Sequence, residues 1–532
     1  DEPEMKFREA PIPRDQMVLI PTTLDDAIAT DNPIRLFDEI LDELDWSAFE
    51  EAYRVEKRGQ PPLPPRIVTA VLLFGMFRDV RSSRKLEYHL NTNIEFMWLA
   101  HGHRIDHSTF CGFRRRHKKA IKKLHRDLIR LAKQLDIVQL GELYVDGTRI
   151  QANANRSKTL TADKATALLD KIDREIEERL QQLELADQND ELFDTGVSGE
   201  QLPNHLNDLQ KRREALKQIL ETCNAEDAER KKQRIAKTPF QLPTTDQDSR
   251  VLPNKEGGYA PNYTPVIAVE GELGLVVATT LINSPNEQDQ LIPLIDDVEQ
   301  NYGVTVETVG ADTAYSTGVN ITELEAERSK DFLPPHRRGL VDEDNPADRD
   351  DLTKPVVNEE LDNLPTNPTT KKFSVDAFVY DPEQDVYYCP QGRVLTRSTQ
   401  ERIQQRGGQT VTTTHYQSKT CDDCPLASRC RLKENSKTGR RIKRDEHEEN
   451  RQRHRKKMSD PDVRKRYTKR LSIGERPFGA IKRNLNFRRF LTRGKDNVEA
   501  EWDLVITAHN LIRFMTFMGS VGQMRTRLAA TS

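Results

Sequence analysis

The sequence predicts a multidomain α/β protein, a mixed β-sheet flanked by helices with further helical units. Three observations carry that prediction. The first 140 residues place apolar side chains at helical spacing. Two strand-like runs, ending at Asp146 and Asp312, each finish on an acid. Between them a strand hairpin and then a helix occur, an order that suits a mixed sheet with helical cover. A chain of 532 residues is too long for one core, and at roughly 100–200 residues per domain it holds three or four units.

Residues 1–32 read as an N-terminal arm and residues 33–140 as a helical domain. Ile34, Leu36, Phe37, Ile40 and Leu41 stripe its first helix, and Arg66–Phe77 is a compact apolar segment after the breaker at residues 61–65. Ser82–Leu99 carries Leu86, Leu90, Ile94 and Trp98. Asp106 or Ser108 then caps a basic helix. Short helices ending in a basic one suit a helix-turn-helix-like DNA-binding unit; a plain helical bundle is the alternative.

A catalytic core is expected over 141–328 and 440–520. In its first strand Asp146 shares a face with Tyr144. Residues 160–240 interrupt the core with a helical hairpin, striped by Leu168, Ile172, Ile176, Leu180 and Leu183 and then by Leu206, Leu209, Leu216, Ile219 and Leu220. That narrow stripe could equally serve dimerisation. Thr264–Glu270 and Gly274–Ile282 read as a hairpin, Asn286–Tyr302 as a helix and Val304–Asp312 as a strand. Residues 329–375 read as a linker, 376–439 as a cysteine-rich insertion, 440–472 as one charged helix leading to Glu475, and Asp496–Phe517 as a closing helix. A tail, 521–532, ends the chain.

Charged residues make up 32% of the chain and hydrophobic ones 35%, so solvated helices and polar connections surround the cores. A net charge of −4 argues against nucleic acid as a partner, but its distribution argues the other way. Bases concentrate in Arg114, Arg115, Arg116 and Lys118 and again between Arg429 and Arg493, while acids collect in 170–230 and 341–363. Local basic surface governs phosphate binding; a solvated helix face is the plainer reading of such runs. No apolar run approaches the ~18 residues that would span a bilayer. The acidic start lacks a signal-type stretch, so a cytoplasmic location is expected.

Asp146, Asp312 and Glu475 are the candidate catalytic residues. Taken singly, each would be an ordinary surface carboxylate. If they converge, they supply hard oxygen ligands for two Mg2+ (or Mn2+) ions about 4 Å apart, the arrangement that supports in-line attack on a phosphodiester. Pro477 cannot sit deep in a helix, so Glu475 belongs at a kink or just before a helix whose first turn holds Pro477. No Ser-His-Asp constellation is apparent. Of six cysteines, Cys389, Cys421, Cys424 and Cys430 include a Cys-x2-Cys knuckle and suit a structural tetrahedral Zn2+ site, a zinc-ribbon-like insertion. Free thiols are the alternative. Cys111 and Cys223 read as small buried residues.

The segment Asp146-Gly-Thr-Arg-Ile-Gln-Ala-Asn-Ala, then Gly310-Ala-Asp-Thr-Ala-Tyr315, then Tyr467, Arg470 and Glu475-Arg-Pro-Phe-Gly-Ala-Ile-Lys482 with Phe490-Leu-Thr-Arg-Gly494, resemble the three motifs of bacterial insertion-sequence DDE transposases. The insertion-sequence 1182 family is the nearest resemblance, and residues 33–120 are similar to an InsH-like N-terminal domain. The likeness covers most of 30–520. It implies an RNase H-like core, magnesium-dependent DNA cleavage and strand transfer, and a homodimer on paired element ends in a bacterial nucleoid. By carry-over, Asp146, Asp312 and Glu475 are the metal ligands, while Tyr467, Arg470 and Lys482 hold DNA phosphates; Arg493 joins the expected DNA contacts. Departures are Arg476, where the family has histidine, and Ala260–Tyr263 in place of a Gly-Tyr-Asn stretch. A silent DNA-binding descendant, a plain divalent-metal nuclease and a zinc-ribbon regulatory factor remain as alternatives.

Overall fold

The computed structural model describes residues 23–53, 61–188, 201–232, 238–254, 257–336, 345–398, 402–406, 409–418, 421, 423–431 and 439–531. Most of the expected arm, the centre of the hairpin and Asp422 of the cysteine knuckle lie outside them. The chain divides into two units.

Unit one comprises the chain up to Leu135 with Asn484–Asn486 and Asp503 onward. Its helices are α1 (Pro33–Asp42), α2 (Ser47–Glu50), α3 (Pro65–Phe77), α4 (Ser83–Thr92), α5 (Ile94–Leu99), α6 (His107–Arg116) and α7 (Lys118–Gln134). Asn32 caps α1 by accepting from the Ile34 amide at 2.9 Å, with Pro33 in the first turn. Every residue of α3 from Ile67 to Met76 is buried; a helix apolar on all sides must sit inside its neighbours. Gly75 permits this, because a methyl there would overlap the Leu86 side chain of α4. The expected tail is instead a helix, Val521–Thr531, with Met524 buried and Arg525 paired to Glu39 at 2.6 Å.

Unit two comprises Asp136–Arg483 and Phe487–Trp502. Its central sheet contains β1 (Glu142–Gly147) and β2 (Ile150–Gln151). A short clasp of β3 (Thr159–Leu160) with β4 (Leu242–Pro243) closes the base of the hairpin α8 (Ala162–Gln188) and α9 (Gln201–Lys232). The sheet resumes with β5 (Arg250–Pro253), β6 (Tyr259–Glu270) and β7 (Val276–Ile282), then α10 (Leu291–Tyr302), β8 (Thr308–Ala311), α11 (Gly318–Ile321) and β9 (Asp331–Phe332). β1 pairs antiparallel with β6 and parallel with β8; β6 also pairs antiparallel with β7, and β8 parallel with β9. The β6–β7 turn is held by the buried Glu270 carboxylate, which accepts from the amides of Glu272 (2.8 Å) and Leu275 (2.9 Å).

Several expectations change. Of the expected stripe Ile172 of α8 is buried, whereas Leu168 and Leu180 are exposed; Ala165 and Leu169 are buried as well, Ala165 in the core at the hairpin base with Ile219 and Cys223. The side chains of Leu183 and Leu206 lie outside the described set. Residues 345–375 do not form a loose linker: Ala347, Val356, Leu364 and Phe373 are buried against a second sheet. That sheet is six-stranded and antiparallel: β10 (Val379–Asp381), β11 (Val386–Tyr388), β12 (Val394–Arg397), β13 (Arg402–Arg406), β14 (Gln409–Gln417) and, after α12 (Ala427–Cys430), β15 (Arg441–Asp445). The single charged helix expected over 440–472 is therefore β15, α13 (Glu448–Ser459) and α14 (Pro461–Ile473). Asp460 and Pro461 make the break, since Asp460 caps α14 through the Asp462 amide and proline belongs in a first turn. Next come α15 (Arg476–Arg483) and α16 (Lys495–Met518); the Val521–Thr531 helix is α17. Among the described residues no single helix is long and apolar enough to cross a membrane.

Candidate active site

The site begins with strand register. β1 and β8 run parallel with Val145 opposite Ala311, so Asp146 and Asp312, one residue further on each chain, lie side by side at the same end of adjacent strands. Asp146 is 7% exposed and accepts from the Gly147 amide at 2.9 Å. Asp312 follows β8 and opens a 3-10 turn running to Tyr315. Tyr144 sits opposite Gly310 in the same register. Its ring covers the space where a side chain at Gly310 would go, and its hydroxyl donates to Glu142 at 2.6 Å.

Glu475 reaches this place on helical supports. Residues of α14 meet the sheet along one face: Arg466 pairs with Asp331 (2.6 Å), Lys469 with Glu142 (3.7 Å), and Arg470 lies 4.0 Å from Asp312. Positions three and four apart share a helix face, so one side of α14 lies across β1, β8 and β9. Gly474 then approaches Tyr144, at 3.5 Å for an added methyl. Glu475 occupies the kink between α14 and α15, with Pro477 in the first turn of α15, as the proline required. α15 is seated by the buried Pro477, Phe478 and Ile481. Lys482 on it donates to Thr148 at 2.7 Å, two residues beyond Asp146. Behind α15, buried Trp502 donates its indole N–H to Thr279 of β7 at 2.7 Å.

Arg470 decides how the acids stand. Its guanidinium bonds Glu475 at 3.1 Å while facing Asp312 at 4.0 Å, so it joins the second and third acids. Among the described residues no group of three or more His, Cys, Asp or Glu is arranged to hold a metal ion, and a fixed cation between two carboxylates is a physical reason for it. The donor chemistry nonetheless fits a hard divalent cation: three carboxylates gathered at one sheet end.

Two groups that periodicity did not mark belong to the same place. The Glu287 carboxylate, from the turn before α10, lies against Gly147, where any β-carbon would overlap it; Tyr315 Oη lies 3.5 Å from that same point. Burial first, and then the charges of Glu287, Asp146 and Asp312, hold the Tyr315 phenol in its protonated form, far above its ordinary range. Tyr315 was legible only as part of the second motif. Glu287 lay in a stretch read as a helix start.

The other expected DNA contacts are placed as follows. Tyr467 lies under Arg470, 5.7 Å from guanidinium to ring. Arg493 donates to the Asn153 carbonyl at 3.0 Å. In unit one, Asp106 rather than Ser108 caps α6, accepting from the amides of Ser108 (2.7 Å) and Thr109 (3.0 Å). The last turn of α6 carries Arg114, Arg115 and Arg116. Arg115 and Arg116 are exposed and Arg114 and Lys118 half-exposed; Arg116 stacks 5.4 Å from the Tyr53 ring.

Four of the cysteines lie by the second sheet, but among the described residues they are not arranged as a group that could hold a metal ion. Cys389 sits in a tight turn in which its carbonyl accepts from Gly392 at 2.8 Å, and Cys424 and Cys430 pack on the same core. Burial, then Cys389, Cys421 and Cys424 after the opposing charge of Arg440, push the Cys430 thiol up to about 12. None of the six cysteines is in a disulfide. Cys223 is buried in the hairpin base, whereas Cys111 is only partly covered.

Two family models match the chain. A transposase domain (DUF772) matches residues 22–116, which contain α1–α6 and the three arginines. A transposase DDE domain matches residues 388–515, from the Cys389 turn through Glu475 into α16. No curated protein matches the chain. Transposases act on DNA, and the DDE family generally depends on divalent metal. An N-terminal transposase domain followed by a transposase DDE domain that contains the kinked Glu475 motif supports an insertion-sequence DDE transposase.

Proposed function

We propose that this transposase binds the ends of its element and carries out DNA cleavage and strand transfer at Asp146, Asp312 and Glu475, on an RNase H-like core. The observation that carries the reading is the parallel β1–β8 register, which sets Asp146 beside Asp312, together with the Arg470 bridge from Asp312 to Glu475. The sheet order supports it: β7, β6, β1, β8, β9, with only β6 antiparallel to its neighbours. Membership of the insertion-sequence 1182 group, with an InsH-like first domain, is the narrower form of the reading.

The three carboxylates would hold Mg2+ or Mn2+, which when bound lowers the pKa of a water or 3′-hydroxyl and neutralises charge on the leaving oxygen. The protein's own groups do the remainder. Asp146 is oriented by its hydrogen bond from Gly147, and Lys482 donates to Thr148, two residues further on, which supports its ammonium as a phosphate contact. Arg470, held between Asp312 and Glu475 and over the Tyr467 ring, would serve with Tyr467 as a phosphate contact. Arg493 and, in the first unit, Arg114, Arg115, Arg116 and Lys118 supply backbone contacts. Cys389, Cys421, Cys424 and Cys430 would hold a structural Zn2+, a four-thiolate set that leaves no open position for substrate. Pairing of two element ends calls for a homodimer.

The test is Asp312→Asn. DNA binding should persist while cleavage and joining of labelled element-end DNA fall by at least about 10³-fold. Undiminished cleavage would end the assignment, and cleavage without joined products in the parent chain would favour a nuclease instead.

A further inference from the structure

Two groups at the site take no part in that chemistry. Glu287 is brought to Gly147 by the turn that precedes α10, and the Gln290 amide closes that turn on the Glu287 carbonyl at 3.0 Å. One side-chain amide fixes its position relative to the acids: Asn320 Nδ2 donates both to the Gln288 carbonyl at 3.2 Å and to the Tyr315 carbonyl at 2.8 Å. The loop carrying Glu287 and the turn that follows Asp312 are thereby clamped together. Gly147 completes the arrangement, since only a residue without a β-carbon leaves room for the carboxylate next to Asp146.

Tyr315 is the independent sign of a ligand. Its side chain is wholly buried, its hydroxyl points into the space shared by Glu287 and Gly147, and that hydroxyl has no hydrogen-bond partner among the described residues. Buried donors are normally satisfied, and one left open at a carboxylate cluster marks where a further polar group belongs.

We propose that Glu287 is a fourth carboxylate ligand of the divalent-metal centre, on the Asp146 side, and that the Tyr315 hydroxyl donates into that ligand shell and orients it. The inference rests on the assignment of Asp146, Asp312 and Glu475 as metal ligands. Charge supports it: two divalent cations carry four positive charges against the three of those acids, and a fourth carboxylate balances them. Arg470 bonds Glu475 and Lys482 bonds Thr148, so neither cation is paired with Glu287 in those contacts.

The experiment titrates Mn2+ alone into the full chain by calorimetry and compares the parent with Glu287→Gln, Tyr315→Phe and Asp146→Asn, each checked by its thermal melt. Glu287→Gln keeps the shape and removes the charge. It should lose one Mn2+ or bind at least about tenfold more weakly, and Tyr315→Phe should weaken binding several-fold. Should Glu287→Gln fail to fold, Glu287→Asp, which withdraws the carboxylate by one methylene, takes its place with the same expectation. Mn2+ binding that survives the Glu287 substitution but is lost in Asp146→Asn overturns this proposal and leaves the three-acid site standing. Binding unchanged in all variants overturns both.

Discussion

At the scale of single residues, the site depends on positions where a side chain is missing. Gly310 lets the Tyr144 ring lie across β8, and Gly147 leaves room for the Glu287 carboxylate. Gly310→Ala should therefore cost about 1–3 kcal/mol through overpacking, read as a lowered thermal midpoint with metal-dependent cleavage reduced in step. An unchanged melt would mean that Tyr144 moves aside freely. His117 makes a second residue-scale case. It lies between α6 and α7, packed against Phe113 in a tilted pair (4.4 Å) and hydrogen-bonded to Tyr53 at 3.0 Å. Burial, helped by the Arg116 charge, lowers it from 6.5 to about 4. The unfolded chain thus takes up a proton near pH 6.5 that the folded chain refuses until about 4. The associated stability is complete above pH 6.5 and declines as the pH falls towards 4. His117→Gln should flatten that decline in melts recorded between pH 7 and 4.5, where a parallel fall in both proteins would exclude His117 as its source.

Among the elements, α14 and α6 do the positioning. The α14 face that pairs with Glu142, Asp331 and Asp312 carries a third acid from a segment about 160 residues beyond the second into its company. The sequence showed the acids, their strand settings and the kink at Pro477, because each is a local pattern. It did not show that residues 440–472 break into a strand and two helices. An edge strand such as β15, with charged residues on its open face, has no periodicity to separate it from a charged helix. α6 presents its arginines in one turn after an aspartate cap. Replacing Arg114, Arg115 and Arg116 by alanine should weaken DNA binding and lower the slope of log K against log salt by roughly 2–3, since each phosphate left unneutralised removes about 0.9 from it. A slope equal to the parent's would take α6 out of the DNA-binding surface.

For the whole molecule, the second sheet is the least expected part. Its core joins residues 345–375, read as linker, to strands on both sides of the cysteine turns, so the thiol cluster lies at the seam of one structural layer. If those thiols hold Zn2+, removing it with a chelator, or Cys424→Ser, should cost about 3 kcal/mol and lower the melting temperature by roughly 6–12 °C, with about one equivalent of zinc released to a colorimetric reporter. No release and no change in the melt would leave four free thiols. Linear order was enough to establish the class of protein, three acids, a hairpin interruption and a cysteine knuckle, because composition, period and short motifs are properties of neighbours along the chain. Only folding decided that Arg470 stands between two of the acids, that Glu287 and Tyr315 join them, and that the linker is core. Those outcomes depend on strand register and close backbone approach between segments far apart in sequence, and local spacing carries no record of either.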